Sequence, residues 1–402
     1  MLFLILLIHS KLVPPMANTA QVLKSYIVQM PGVRIAFVHD NYMQHGGAER
    51  VAETIAKLLP GADLFSTVVF PEKLSPYMRT RRIADTAVRH IPGLRKYYRH
   101  LFFLYPLAAR SLDLSEYDVV ISSCCGFAKM VKSRKDAVHI CYCHTPTRWI
   151  WRFDDYAARE GFSPLVKGVL RIVMKLLKRL DRRASSNPDF FLANSTIVAE
   201  RIRRFYDRES LVIFPPVDCD RFTVSYHSDA YYLIVSRLLS YKRIDLAIQA
   251  CEQLGRRLII IGDGPDRKRL ESLCGTNTKL LGRLSDAEVA RYMSRCKAFL
   301  FPGEEDFGLT PLEANAAGKP CIAYARGGTL DTVVDGVTGV LFEQSSPLSI
   351  VHAILRSENT KWDPALLRRH AERFDTHVFA EKFVQSVYRL TACKPTTSLV
   401  CV

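Results

Sequence analysis

The residue types best suited to joint chemistry are crowded into Phe301-Pro302-Gly303-Glu304-Glu305-Asp306-Phe307-Gly308-Leu309-Thr310-Pro311-Leu312-Glu313, followed closely by Gly318-Lys319-Pro320. The stretch reads as strand, loop, helix and strand again. Phe307-Gly308-Leu309 falls where the helix begins, and the unpaired backbone N–H groups and dipole of a helix start suit a diphosphate. Glu305 stands before the helix and Glu313 in its first turns. That spacing lets one carboxylate reach a sugar ring and the other a ribose, on either side of the diphosphate. The plainer reading of Thr310-Pro311-Leu312-Glu313 is a capping box with proline at the first helical position. It accounts for Glu313 alone but not for the whole string.

Metal and dinucleotide readings are weaker. His139-x-Cys141-x-Cys143 has ligand types, but alternation within an apolar strand is explained by buried packing. Asp218-x-Asp220 follows two prolines, where a turn is expected. Gly262-x-Gly264 lacks the third glycine of a dinucleotide fingerprint.

After residue 32, short apolar runs alternate with amphipathic stretches. Val33–Val38, Asp63–Val69, Tyr117–Ser122, Val138–Cys143, Phe190–Ala193 and Leu211–Phe214 read as strands, with Ala48–Leu59 a helix. Continuous apolar runs indicate strands buried on both faces, hence parallel sheets covered by helices. Pro215-Pro216-Val217-Asp218 interrupts the series and marks a linker. A second series follows in Tyr231–Ser236, Arg257–Ile261, Lys279–Leu281, Lys297–Phe301, Pro320–Ala323 and Val340–Phe342. The expected fold is α/β, two Rossmann-like doubly wound lobes with a cleft at the carboxyl ends of their strands.

Composition agrees with two domains: 402 residues, 48% hydrophobic and 24% charged. The 11 cysteines lack the paired spacing of stapled secreted modules, so a reducing compartment is expected. Met1–Ile8 is apolar but too short to span a bilayer, and no basic region precedes it. Residues 1–32 are set apart as an extension, disordered or not translated. Residues 33–214 form the N-terminal lobe and 215–372 the C-terminal lobe. Residues 373–390 are a helix returning to the first lobe, and 391–402 a flexible tail.

Glu305 and Glu313 around Phe307-Gly308-Leu309, with Gly318-x-Pro320 behind them, resemble the hallmark of glycosyltransferase family 4, retaining enzymes of GT-B fold. Gly46-Gly47-Ala48-Glu49-Arg50, Ser236-Arg237-Leu238 with Lys242, Gly262-Asp263-Gly264-Pro265 and Gly327-Gly328 match the family in the expected order. The resemblance implies that Gly46 and Gly47, placed at the end of the first strand, let the backbone approach a donor phosphate. It implies that Arg237 and Lys242 neutralise the diphosphate and stabilise the departing nucleotide. It gives Glu305 the sugar hydroxyls, the Phe307-Gly308-Leu309-Thr310 backbone the sugar and phosphate, and Glu313 the ribose. Gly282 and Arg283 join the donor side. His144 would face donor sugar and acceptor. Asp306 stands where glycine is frequent and Thr310 where proline is frequent. Neither departure removes a required group, and Asp306 bears on sugar choice.

Cys143-His144-Thr145-Pro146-Thr147-Arg148-Trp149-Ile150-Trp151 resembles a subgroup associated with mannosyl transfer in surface-polysaccharide assembly. That likeness implies a GDP-mannose donor and a glycan or polyprenyl-diphosphate-linked acceptor, with His144, Arg148 and Trp149 on the acceptor side. No cofactor or metal is expected, since Arg237 and Lys242 carry the positive charge. The alternatives are an inactive GT-B assembly partner, or a nucleotide-sugar epimerase or oxidoreductase, which would need the missing fingerprint.

The net charge of +16 calls for an anionic partner. Between Arg79 and Arg110 there are eight Lys/Arg against Asp85 alone, interleaved with Tyr97, Tyr98, Phe102, Phe103 and Tyr105. Basic and aromatic residues together suit an anionic membrane surface. The 167–183 stretch reads instead as an ordinary amphipathic helix, packed on its sheet with a solvated basic face. No RNA-binding motif accompanies the charge, so no nucleic acid is expected. The protein is expected in the cytoplasm, peripheral on the inner face of the plasma membrane.

Overall fold

The computed structural model describes residues 23–97, 101–154 and 163–393. Residues 1–22 of the extension, Tyr98 and Arg99 of the basic stretch, residues 394–402 of the tail and the side chain of Phe102 lie outside that description.

The N-terminal lobe is a parallel sheet of order β3-β2-β1-β4-β5-β6-β7. Its strands are β1 (Ile35–His39), β2 (Asp63–Ser66), β3 (Ile83–Ala84), β4 (Val119–Cys124), β5 (Val138–Cys143), β6 (Phe190–Ala193) and β7 (Leu211–Val212). β1, β4 and β5 are buried at every position, as a central parallel strand must be. The C-terminal lobe repeats the plan in the order β10-β9-β8-β11-β12-β13. These are β8 (Tyr231–Val235), β9 (Arg257–Ile261), β10 (Thr278–Gly282), β11 (Ala298–Phe301), β12 (Cys321–Tyr324) and β13 (Gly339–Phe342). Strand order reverses between β1 and β4 and again between β8 and β11, and a doubly wound sheet opens its ligand crevice at such a reversal.

The helices that matter below are α1 (Gly47–Leu58), α2 (Tyr105–Ser111), α3 (Arg148–Trp151), α4 (Pro164–Ala184), α5 (Thr196–Tyr206), α6 (Leu309–Ala316) and α7 (Thr376–Ala392). α7 belongs to the first lobe, because Phe379 and Phe383 enter its core beside Ile55, Ile121 and Tyr142. The chain crosses between lobes at Val217 and again before α7. The two crossings bridge each other, with Val217 N–H donating to Phe374 O at 2.9 Å and Thr376 N–H to Val217 O at 3.1 Å.

Residues 23–32 are not a loose extension. Leu23 and Val28 are buried in the first-lobe core. Val28 N–H donates to Leu58 O at 2.9 Å, and the Tyr388 hydroxyl bonds both backbone groups of Gln29. Two apolar anchors and paired backbone groups tie residues 23–32 to the first lobe, although they precede its first strand.

The 79–110 stretch is less free than its composition suggests. Arg95 pairs with Glu72 and covers the Phe70 ring, Arg89 pairs with Asp85, and Arg81 bonds the Tyr77 hydroxyl. Tyr105 packs inward and meets Met43 Sδ. No described helix is long and apolar enough to cross a membrane, and the ten described cysteines are free thiols.

Phe383→Ala removes a fully buried ring shared by α7 and the first-lobe sheet. We expect a loss of roughly 3–5 kcal/mol in first-lobe unfolding free energy, read by denaturant titration. An unchanged midpoint would mean that α7 is not part of that core.

Candidate functional site

The lobes face each other with the carboxyl ends of their strands, and the motif residues gather there. After β11, Glu304, Glu305 and Asp306 follow in sequence, and three like charges need matched cations. Lys242 ion-pairs with Glu305 from its own lobe. From the other lobe, Arg201 of α5 pairs with Asp306 and, at 3.0 Å, with Glu304, and Arg152 pairs with Glu304. Arg148 of α3 donates to Glu304 O at 2.9 Å. The same guanidinium stands 4.0 Å from Glu305 Oε2 and 3.9 Å from Asp306 Oδ2, over the Tyr241 ring. Burial, then the Glu305 carboxylate, pushes the Tyr241 phenol up.

Gly308 caps α6 with φ of 92°, in the left-handed region that favours glycine. The helix therefore starts at Leu309, whose side chain faces Gly47 of the opposite lobe. Thr310-Pro311-Leu312-Glu313 is not a capping box, because Gly308 holds the cap position and Glu313 is the fifth helical residue. Phe307 turns its ring into the core against Phe214 and Phe374. Gly327-Gly328 allows the next loop to lie on this backbone, since a Cβ at Gly328 would meet Phe307 Cα at 2.2 Å. Glu313 is mostly buried, with Arg50 of α1 at 3.4 Å and Arg221 at 3.8 Å.

Gly46 and Gly47 are not at the end of β1, which stops at His39. Gly46 caps α1, and its N–H donates to the buried Glu49 at 2.8 Å. Burial raises the Glu49 pKa against the hydrogen bonds that lower it. A Cβ at Gly47 would meet Leu309 of the opposite lobe at 3.2 Å. Arg237 Nη1 donates to Gln44 Oε1 at 2.6 Å, so it too spans the cleft. Gly282 and Arg283 stand at the end of edge strand β10, two strands from β8, and no described hydrogen bond or ion pair joins them to Glu305 or Lys242. Trp149 packs toward Phe127 on the first-lobe side rather than joining the carboxylates.

His144 is buried, and its Nε2 lies 2.8 Å from Ser123 Oγ; the same hydroxyl lies 3.0 Å from His39 Nδ1. One hydroxyl proton serves two rings, so one histidine accepts from Ser123 and the other donates to it. Burial lowers the His144 pKa to about 3, helped by His39 and opposed by Asp40 and Asp306. Burial likewise lowers His39 to about 4. Beside them Asp40 accepts backbone N–H groups from Gly126, Phe127 and Ala128 at 2.6 to 2.8 Å, clamping the turn after β4.

Beneath α3, Asp181 of α4 accepts from Lys129 Nζ (2.6 Å), Thr147 Oγ1 (3.1 Å), Trp151 Nε1 (2.7 Å) and Tyr206 Oη (2.7 Å). Burial works against the Lys129 charge, yet Asp181 holds its pKa well above the ordinary value. This network seats the α3 backbone from which Arg148 projects. Arg152, Arg201, Arg221, Asp40 and Ser123 were not singled out in sequence, and Arg50 was quoted within its motif but given no role, since each meets its partner through the fold. Among the described residues no group of three or more His, Cys, Asp or Glu is placed to hold a metal, and His139 Nε2 lies 2.9 Å from Ser122 Oγ inside the sheet.

Two parallel doubly wound sheets facing across such a cleft define the GT-B architecture. The profile for Glycosyltransferase Family 4 matches residues 45–221 and that for Glycosyl transferases group 1 matches residues 220–374. The chain belongs to glycosyltransferase family 4. An uncharacterized glycosyltransferase of Methanocaldococcus jannaschii is 28% identical over 52% of this chain, a match spanning 60% of that protein. Alpha-1,3/1,6-mannosyltransferase ALG2 of Kluyveromyces lactis is 26% identical over 75% of this chain and 71% of its own. Anabaena HepE, solved in complex with UDP and glucose, superposes with a TM-score of 0.67 at 17% identity, over 89% of this chain and 99% of that one.

The buried histidines set a pH dependence of stability. Their folded pKa values, about 4 for His39 and about 3 for His144 and His139, lie below the ordinary 6.5. Below pH 6.5 the unfolded chain binds protons that the folded chain refuses, so stability falls as pH drops toward 4. Each histidine contributes up to about 1.4 kcal/mol per pH unit. His139→Gln should therefore shallow the slope of the unfolding midpoint between pH 6.5 and 4. An identical slope would show that His139 is already protonated in the folded protein.

Proposed function

We propose that this protein is a retaining, metal-independent hexosyltransferase, moving mannose from GDP-mannose to a glycan or polyprenyl-diphosphate-linked acceptor in cell-surface polysaccharide synthesis. One observation carries the reading. Lys242, Arg237, Glu305 and the start of α6, a set with the chemistry to bind a sugar diphosphate, gather at one cleft. The diphosphate would lie against Arg237, Lys242 and the helix start, with Glu305 on sugar hydroxyls and Glu313 on the ribose. The bond from the anomeric carbon to phosphate oxygen breaks while the acceptor hydroxyl attacks from the same face. The hydroxyl proton leaves with the diphosphate. His144 stays neutral at physiological pH and acts as a hydrogen-bonding wall beside donor and acceptor. Lobe closure keeps water from the reacting centre.

Kinship with the mannosyltransferases named ALG2 supports mannose, and the HepE complex supports a nucleotide-sugar donor. A lipid-linked acceptor places the protein at an anionic inner leaflet, held there peripherally by its basic first lobe.

Arg237→Ala and Lys242→Ala should each lower turnover by on the order of a hundredfold while the fold persists, as loss of an electrostatic stabiliser does. Near-normal turnover of either variant would overturn the assignment. Activity should survive EDTA, and rescue by Mg²⁺ or Mn²⁺ after chelation would refute metal independence. Thermal protection by GDP-mannose above that by UDP-glucose checks the donor, because the tighter ligand stabilises more at equal concentration.

A further inference from the structure

Helix α4 carries a second apolar stripe that its own packing leaves uncovered. Leu170, Val173, Met174, Leu177 and Leu180 turn inward against the cluster that holds Ile150 and Phe153. Leu165, Val169, Ile172 and Leu176 recur at spacings of four, three and four residues, which aligns them on one face. They are 79%, 56%, 71% and 57% exposed. The sequence reading of a single apolar face packed on the sheet is therefore corrected. The apolar arc is wider than the seam that receives it.

Further along the helix the same face becomes basic. Arg179 and Arg183 continue the stripe, and Lys175 and Arg182 flank it. Arg183 also lines a cavity of about 510 Å³, together with Arg110 of α2 and Lys132, Arg134 and Lys135 from the turn before β5. Arg134 is engaged by Asp118 and Asp136. Among the described residues, Arg110, Lys132, Lys135 and Arg183 enter no ion pair. Leu107, one turn before Arg110 on α2, is 67% exposed.

We propose that this face of the first lobe docks on an anionic phospholipid bilayer, with the Leu165–Leu176 stripe in the headgroup layer and the cavity cations on lipid phosphates. An apolar stripe bordered by cations is what an interfacial helix needs, and each basic residue near the surface adds attraction. A second copy of this chain is disfavoured as the occupant, because two faces this basic repel each other. The placement also has a use. α4 is about 30 Å long; Arg171 on it pairs with Asp154, two residues beyond the Arg152 that meets Glu304 in the cleft, while Arg183 lines the cavity with Ala137 and Asp189, which immediately precede β5 and β6. A bilayer lying along it brings the rim of the cleft to the headgroups. That use rests on the lipid-linked acceptor proposed above, whereas docking itself requires no turnover.

The test is co-sedimentation of the full chain with phosphatidylglycerol–phosphatidylcholine vesicles and with phosphatidylcholine alone. The parent should sediment with the first and not the second. Ile172→Glu/Leu176→Glu and, separately, Arg110→Glu/Lys135→Glu should each lower partitioning about tenfold or more. Thermal protection by GDP-mannose reports the fold of each variant and tests the donor reading independently. Equal sedimentation of parent and both variants would overturn the proposal, as would equal binding to neutral vesicles. A parent dimer that Ile172→Glu/Leu176→Glu converts to monomer, with vesicle binding intact, would assign the stripe to self-association instead.

Discussion

The cleft depends on how the chain tolerates Glu304, Glu305 and Asp306 side by side at the carboxyl end of β11. Three adjacent carboxylates repel one another, and partial burial sharpens the repulsion. Arg148, Arg152 and Arg201 from the other lobe and Lys242 from the same one answer that charge. Arg152 and Arg201 each use the planar guanidinium fork to bond carboxylates in a defined orientation, which a lysine would not do, while Arg148 bonds the Glu304 carbonyl. The acidic triplet is therefore both half of a binding site and the chief electrostatic tie between the lobes.

Those arginines aim well only because their own backbones are held. Arg148 and Arg152 project from and just beyond α3, a helix too short to be stable by itself. Asp181 ties that helix down through Thr147 and Trp151 and neutralises Lys129 in the same buried pocket. All its partners are satisfied, so the buried charge orients the helix rather than straining it. Arg201 sits on α5, whose start is fastened to the opposite lobe by Thr196 bonding Asp331 at 2.7 and 2.9 Å. Asp40 performs a similar task for the turn after β4, next to His39, Ser123 and His144. Buried polar groups thus form a scaffold one layer behind the cleft on the first-lobe side.

Much of this was legible before any coordinates. Continuous apolar runs such as Val138–Cys143 and Arg257–Ile261 read as buried parallel strands, and their extents match the fold residue for residue. β3 was missed because its two residues sit between Arg82 and Asp85 and carry no periodicity. Glu305, Lys242 and Arg148 could be picked out because the motifs around them are local. Arg152 and Arg201 could not, since no motif surrounds them and each meets a carboxylate more than 100 positions away; Arg50 stood in a quoted motif, but its partner Glu313 is equally remote. Gly46 and Gly47 were misplaced by the length of a loop, because a glycine pair marks a backbone demand without saying which element makes it. On α4 the helical period was right, but periodicity cannot tell which of two adjacent apolar stripes meets the core.

The same arithmetic of charge bears on motion. The interlobe bridges are charge-assisted yet only part-buried, so water can replace them at modest cost. An anion entering the cleft would be attracted by Arg148, Arg237 and Lys242, the groups that already answer Glu305 or reach Gln44. Binding must then redistribute cations between the ligand and the acidic triplet, and the lobes cannot remain indifferent to it. Arg152 and Arg201 stay on Glu304 and Asp306 and can keep the lobes joined meanwhile. An anion that drew Arg148 or Arg237 away from Glu304 or Gln44 would loosen those two ties to the opposite lobe, while the chain crossings remain paired at Val217 and Thr376.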